Sequence, residues 1–191
     1  GGAGELGAAR RSPLPYESIA LVLQGGGALG AYQAGVFEGL HEAGIEPDWA
    51  AGISIGAINA AVIAGNAPAH RIDHLREFWQ TVTAPPILPP TAPLLAQAAL
   101  FGGEAVRTAL GWFEASRALL EGQRGFFVPR LPSPALLTQA APDALGHYDT
   151  APLKATLERL IDFDRINHRA ATMRLTLSAV NVASGNFELF D

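Results

Sequence analysis

Ser54 lies at the centre of Gly52-Ile53-Ser54-Ile55-Gly56. A Gly-x-Ser-x-Gly pentapeptide between a strand and a helix forces a sharp turn that presents the serine hydroxyl, and bulkier flanking residues collide there. Alone, the pentapeptide equally fits a buried strand–turn–helix corner with an incidental serine. A second glycine motif stands upstream, Gly25-Gly26-Gly27-Ala28-Leu29-Gly30. Such a run lets backbone N–H groups converge on an anion at a helix N-terminus. Together the two motifs suit acyl transfer, in which a serine attacks a carbonyl and the amides stabilise the oxyanion. The upstream run also matches the dinucleotide pattern Gly-x-Gly-x-x-Gly, which requires an acid about 20 residues on, after the second strand. Asp48 has that approximate spacing but precedes the second strand. No lysine follows the glycines, so a P-loop in its usual form is excluded.

The elements that must position these residues read as α/β. Ile19 to Leu23 is a continuous apolar run, the mark of a strand buried on both faces. After the glycines, Tyr32, Val36, Phe37 and Leu40 fall at helical spacing, and Gly44 stops the helix. Trp49 to Ala51 reads as a second strand, and Ala57 to Ala64 as a small-residue helix packed in the core. Ile72, Leu75, Phe78 and Trp79 mark another amphipathic helix. Between residues 84 and 147 the pattern changes. Five prolines cluster at Pro85, Pro86, Pro89, Pro90 and Pro93, a helix is expected over Glu104 to Glu121, and Phe126-Phe127 follows. This stretch reads as a cap or insertion. Alternation then resumes with a helix over Pro152 to Ile161, with Thr150 as its N-cap. A strand over Met173 to Val182 turns at Gly185 towards Phe187 to Phe190, as a hairpin.

Other groups offer weaker chemistry. His70 and His74 have i, i+4 spacing, as in a metal pair, but no glutamate lies between them, and a solvated helix face is the favoured reading. His147 and His168 follow Ser54 in the chain, so order leaves open a Ser–His–Asp triad, although surface or capping roles are favoured. Asp143, Asp149, Asp162 and Asp164 read as turn and cap residues. Trp112, Phe113, Phe126 and Phe127 fit a core, an acyl pocket or a bilayer contact equally well.

Composition narrows the classes. The 191 residues carry 49% apolar side chains and a net charge of −5. That is enough to build the core of one α/β domain, and too acidic and unclustered for nucleic-acid binding. There is no cysteine, which excludes disulfides, iron–sulfur clusters, thiolate zinc and a cysteine nucleophile. Only 16% of residues are charged, so apolar surface is expected to meet a partner, a lipid or a further part of the chain. Residues 1–17 read as a flexible tail, because Arg10-Arg11 is followed by Ser12-Pro13-Leu14-Pro15 rather than an apolar segment. Three charge-free stretches, Ser18–Phe37, Trp49–His70 and Thr81–Gly103, are broken by glycine, polar residues or proline, so none reads as a membrane span. A cytoplasmic protein is expected.

Leu23-Gln24-Gly25-Gly26-Gly27-Ala28-Leu29-Gly30 followed by Gly52-Ile53-Ser54-Ile55-Gly56-Ala57-Ile58-Asn59-Ala60 resembles the patatin-like phospholipases in the order and spacing of both motifs. Tyr148 to Leu153 and Asn181 to Gly185 also look like family segments, and the resemblance runs from about Ser18 to Asp191. It implies a three-layer α/β/α fold with a mainly parallel sheet, and cleavage of lipid acyl esters by a Ser–Asp dyad without a cofactor or metal. Ser54 then corresponds to the nucleophile. The amides of Gly25, Gly26, Gly27 and Ile55 form the oxyanion hole, and Gly30, Gly52 and Gly56 are motif glycines. The implied partners are a lipid or acyl-ester substrate and a membrane surface, touched peripherally. The family's dyad aspartate is followed by glycine, and no Asp here is. The expectation is therefore the N-terminal part of such a domain, with the aspartate in a C-terminal segment. Two alternatives stand beside this reading: a Ser–His–Asp esterase or acyltransferase, and a non-catalytic nucleotide-binding module.

Overall fold

A computed structural model describes residues 15–84, 97, 98, 100–130, 148–168, 171 and 173–191. The proline cluster, His147, Asp143 and most of the tail lie outside the described residues. So does the side chain of Phe113. The chain divides into two compact units. One runs up to Leu75 and resumes over Phe163–Asp191, and the other is Arg76–Asp162.

The first unit holds a four-stranded sheet in the order β1 (Ala20–Leu23), β2 (Trp49–Ile53), β5 (Arg174–Val180), β6 (Phe187–Phe190). β1 pairs parallel with β2, β2 parallel with β5, and β5 antiparallel with β6. The mainly parallel sheet with helices between its strands is the expected α/β class. It follows from the sequence: a parallel pair needs a crossover, and the intervals from β1 to β2 and from β2 to β5 contain helical patterns, whereas the short β5–β6 interval allows only a hairpin.

α1 (Gly30–Glu42) buries Phe37 and exposes Tyr32. It stops at Gly44, whose φ of 70° suits a residue without Cβ. The Gly44 N–H donates to the His41 carbonyl at 2.8 Å and the Ile45 N–H to the Leu40 carbonyl at 2.9 Å, a Schellman closure. α2 (Ile55–Ala64) carries no charged side chain and buries Ile55, Gly56, Asn59, Ala60, Val62, Ile63 and Ala64. A helix apolar nearly all round belongs inside a core. Full burial of Val62 and Ile63 contributes about 1.5–3 kcal/mol each. Small residues let it approach the sheet: a Cβ on Gly56 would stand 2.7 Å from the Gln24 carbonyl oxygen. A short helix, α6 (Phe163–Asn167), had no counterpart in the sequence reading.

α3 (Arg71–Thr83) begins in the first unit and ends in the second, with Leu75, Phe78 and Val82 buried at helical spacing. The second unit also contains α4 (Glu104–Glu121), the antiparallel pair β3 (Val128–Pro129) and β4 (Tyr148–Asp149), and α5 (Ala151–Leu160). Thr156 Oγ1 donates to the Gly125 carbonyl at 2.8 Å, and Gln123 Nε2 to the Val82 carbonyl at 2.9 Å. Phe127 meets Tyr148 edge-on with ring centroids 4.8 Å apart. Trp112 is 72% exposed, which removes the core reading for that residue. Thr150 does not cap α5 with its side chain. Asp149 does so instead, its Oδ1 accepting the Ala151 N–H at 2.9 Å, because a carboxylate reaches the first free amide from one residue further back. No helix among the described residues is long and apolar enough to cross a membrane.

Candidate active site

Parallel pairing decides where the two glycine motifs meet. The β1–β2 register sets Leu23 beside Gly52, so the C-terminal ends of both strands lie side by side. The chain leaves β1 into the glycine loop and leaves β2 into Ser54. A Cβ on Gly25 would stand 3.2 Å from Ser54 Cβ and 3.8 Å from its Oγ, which shows how closely the loop approaches the hydroxyl. A side chain at Gly25 would crowd the serine.

Ser54 has φ 57° and ψ −126°, and is the only non-glycine with positive φ among the described residues. That conformation costs of order 1–3 kcal/mol and persists because β2 and α2 over-determine the turn. The side chain is exposed, although both flanking glycines are buried. The amides of Ala57 and Ile58 donate to the Ser54 carbonyl at 2.9 and 3.3 Å, starting α2 on the serine itself. The N–H of Ile55 therefore belongs to the unpaired first turn, at the positive end of the helix dipole. Gly26 and Gly27 have φ values of 154° and 56°, so the exposed loop runs through conformations that other residues resist. A 3₁₀ turn over Gly27–Leu29 leads into α1, whose first residue, Gly30, is buried.

Sequence reasoning missed the groups that hold this loop. Asn59 is fully buried on α2. Its Nδ2 donates to the Gly30 carbonyl at 2.9 Å and to Gln33 Oε1 at 3.0 Å. Gln33 Nε2 in turn donates to the Gln24 carbonyl at 2.7 Å. The signal was present in the residue types, as an amide among alanine, isoleucine and valine, but not its partners.

Asp48 and His41 stand away from the serine. Asp48 stands at the opposite ends of β1 and β2 from the glycine loop. There its Oδ1 accepts from Ser18 Oγ at 2.7 Å and from the Ile19 N–H at 3.0 Å. The Ser18 hydroxyl, and then the Ile19 amide, hold its carboxyl below the usual range. An acid so used is not placed to grip a ribose at the loop, which removes the motif-based support for dinucleotide binding. His41 pairs with Glu46 at the far end of α1 from the loop. His74 Nδ1 lies 2.6 Å from Asn66 Oδ1 and is half-buried, so the face expected to be solvated is only partly so. Among the described residues no group of three metal-ligating side chains forms, and no side chain hydrogen-bonds the Ser54 hydroxyl.

An exposed, strained serine stands between a parallel strand and a buried helix, flanked by a glycine loop from the neighbouring strand, which is the arrangement of a nucleophile elbow. The family model for patatin-like phospholipase matches residues 21–190, and the chain belongs to that family. Lysophospholipase nte1 of Aspergillus terreus is 54% identical over 50 residues, 26% of this chain and 3% of that protein. Patatin-like phospholipase domain-containing protein 6 of Mus musculus is 37% identical over 95 residues, 48% of this chain and 7% of that protein. The protein of the same name from Homo sapiens matches to the same extent. The matched residues thus span less than a tenth of the length of these relatives. No solved structure matches it.

Proposed function

We propose that this protein is a serine acyl hydrolase that cleaves acyl esters of lipids, with Ser54 as nucleophile. The observation that carries the reading is the backbone of Ser54: a positive φ in a non-glycine residue, at a strand-to-helix turn, with its hydroxyl exposed beside the Gly25 backbone. Ser54 Oγ attacks the acyl carbonyl carbon as its proton passes to a base. The amides of Gly25, Gly26, Gly27 and Ile55 stabilise the oxyanion. The intermediate expels the lipid alcohol, which takes the proton, and leaves an acyl-serine. Water then attacks the acyl-serine, releasing a fatty acid and restoring the hydroxyl. The base in this reading is an aspartate followed by glycine, supplied by chain outside residues 1–191. Relatives named lysophospholipase and patatin-like phospholipase support lipid esters as the substrate class.

The same reading makes the enzyme cytoplasmic and peripheral at a membrane surface. Leu29 and Tyr32, 71% and 76% exposed beside the glycine loop, support the membrane contact, and flotation with liposomes tests that contact. The decisive experiment treats the full-length protein with a fluorophosphonate probe and assays fatty-acid release from lysophosphatidylcholine. Labelling at Ser54 together with release is expected. Labelling elsewhere, or release that survives Ser54→Ala, sinks the assignment.

A further inference from the structure

The helix that starts at Ser54 also holds the glycine loop, through one buried amide. Asn59 is 0% exposed, five residues past the serine, in a helix otherwise built from apolar and small residues. A buried amide costs about 1–3 kcal/mol if its partners are lost, whereas alanine at such a position carries no such liability. Its hydrogen bonds explain its place. The Gly30 carbonyl, 2.9 Å away, can only accept, so Asn59 presents its nitrogen. The Gln24 carbonyl, 2.7 Å from Gln33, likewise requires the Gln33 nitrogen, which turns Gln33 Oε1 towards Asn59 Nδ2 at 3.0 Å. The direction of the whole relay is fixed by a backbone carbonyl at each end. Gln24 immediately precedes Gly25, and Gly30 closes the motif. The relay therefore grips both ends of the five-residue segment that carries the Gly25, Gly26 and Gly27 amides.

We infer that Asn59 and Gln33 are positioning residues of the hydrolase, setting the distance between the glycine-loop amides and the Ser54 hydroxyl. The inference rests on Ser54 being the nucleophile. The loop needs such a device, because Gly26 and Gly27 bring freedom along with their special φ values. An oxyanion hole tolerates about 0.5 Å of error before catalysis suffers. A displacement near 1 Å costs about 100-fold. Neither side chain need touch substrate; they act through the backbone they hold.

The test compares the full-length wild type with Gln33→Met, Gln33→Glu and Asn59→Ser. Gln33→Met keeps length and helix propensity but removes both hydrogen bonds. Gln33→Glu keeps the acceptor for Asn59, replaces the donor to the Gln24 carbonyl with a second oxygen and adds a negative charge. Sites are counted by fluorophosphonate titration, and kcat per labelled site, KM, labelling rate and Tm are measured. Both Gln33 variants are expected to lose about tenfold in kcat per site and in labelling rate, with KM within about twofold of wild type and the protein folded. Asn59→Ser is expected to lose more, with a lower Tm. A merely structural role lowers Tm and the number of sites but leaves kcat per site unchanged, and that result in the Gln33 variants overturns the inference. Failure of the wild type itself to label at Ser54 overturns the nucleophile assignment instead, and this inference falls with it.

Discussion

Ser54 keeps a backbone conformation that serine resists, which ties stability and chemistry together at a single residue. Ser54→Ala retains the positive φ and loses the hydroxyl. Hydrolysis and probe labelling should disappear, with a loss on the order of 10⁴-fold or more in kcat. Ser54→Gly should be equally silent yet more stable than Ser54→Ala by about 1 kcal/mol, because glycine adopts φ 57° without strain. Equal thermal unfolding of the two variants would remove the strain argument. Gly27 offers a second case. A Cβ there meets nothing within 4 Å, so crowding does not restrict it; its φ of 56° does. Gly27→Val should displace the loop backbone and cost about 10²–10³-fold in kcat while the protein stays folded. Wild-type activity or global unfolding would each deny the loop its role. The serine and the glycines were legible in the sequence because their types carry the geometry. The Asn59–Gln33 pair was not, since it joins two helices 26 residues apart, and helical spacing says nothing about which faces meet.

At the scale of elements, the β5–β6 hairpin depends on one carboxylate. Asp191, following β6, pairs with Arg174 and accepts from Thr176 Oγ1 at 2.6 Å, both on β5. The Arg174 guanidinium, and then the Thr176 hydroxyl, bring its carboxyl down to about 2. Arg174 also stacks over Trp49 of β2 at 4.3 Å, and Trp49 Nε1 donates to Thr176 at 2.9 Å, so the network joins β2, β5 and the residue after β6. A carboxyl whose folded value lies below its unfolded value near 3.9 contributes stability above that range, lost as pH falls through about 2. Asp191→Asn should therefore lower Tm at pH 7, and the difference should vanish near pH 2. A difference that persists unchanged to pH 2 would assign the effect to shape rather than charge. Strand and helix existence was legible because each apolar run has a clear period. The α5 cap went to Asp149 instead of Thr150, a choice made by side-chain reach that residue type alone does not reveal. The exposed Trp112 on α4 makes a further element-scale test. Trp112→Ala should change stability by less than about 0.5 kcal/mol, and unfolding at lower denaturant would show that the indole is packed after all.

Taken as a whole molecule, the chain has few charges for its surface, 16% of residues, and much apolar area in view. On the sheet, Phe187 and Leu189 of β6 are 69% and 72% exposed. β1 and β6 form its two edges among the described residues. Edges of this kind pair with further chain or with other molecules. Serine is a weak nucleophile at neutral pH and needs an adjacent base, and among the described residues no side chain hydrogen-bonds the Ser54 hydroxyl. In the proposed mechanism the base is an aspartate followed by glycine, a pair absent from residues 1–191. The 191-residue polypeptide expressed by itself should accordingly be poorly soluble and hydrolyse neither a short p-nitrophenyl ester nor a phospholipid. Joined to, or mixed with, chain that supplies such an aspartate, it should gain an activity that Ser54→Ala removes. Light scattering reports the first expectation and ester assays on both forms the second. A monomeric 191-residue form with full, Ser54-dependent activity would place the base within this sequence, with His147, His168 and Asp149 as the first residues to replace.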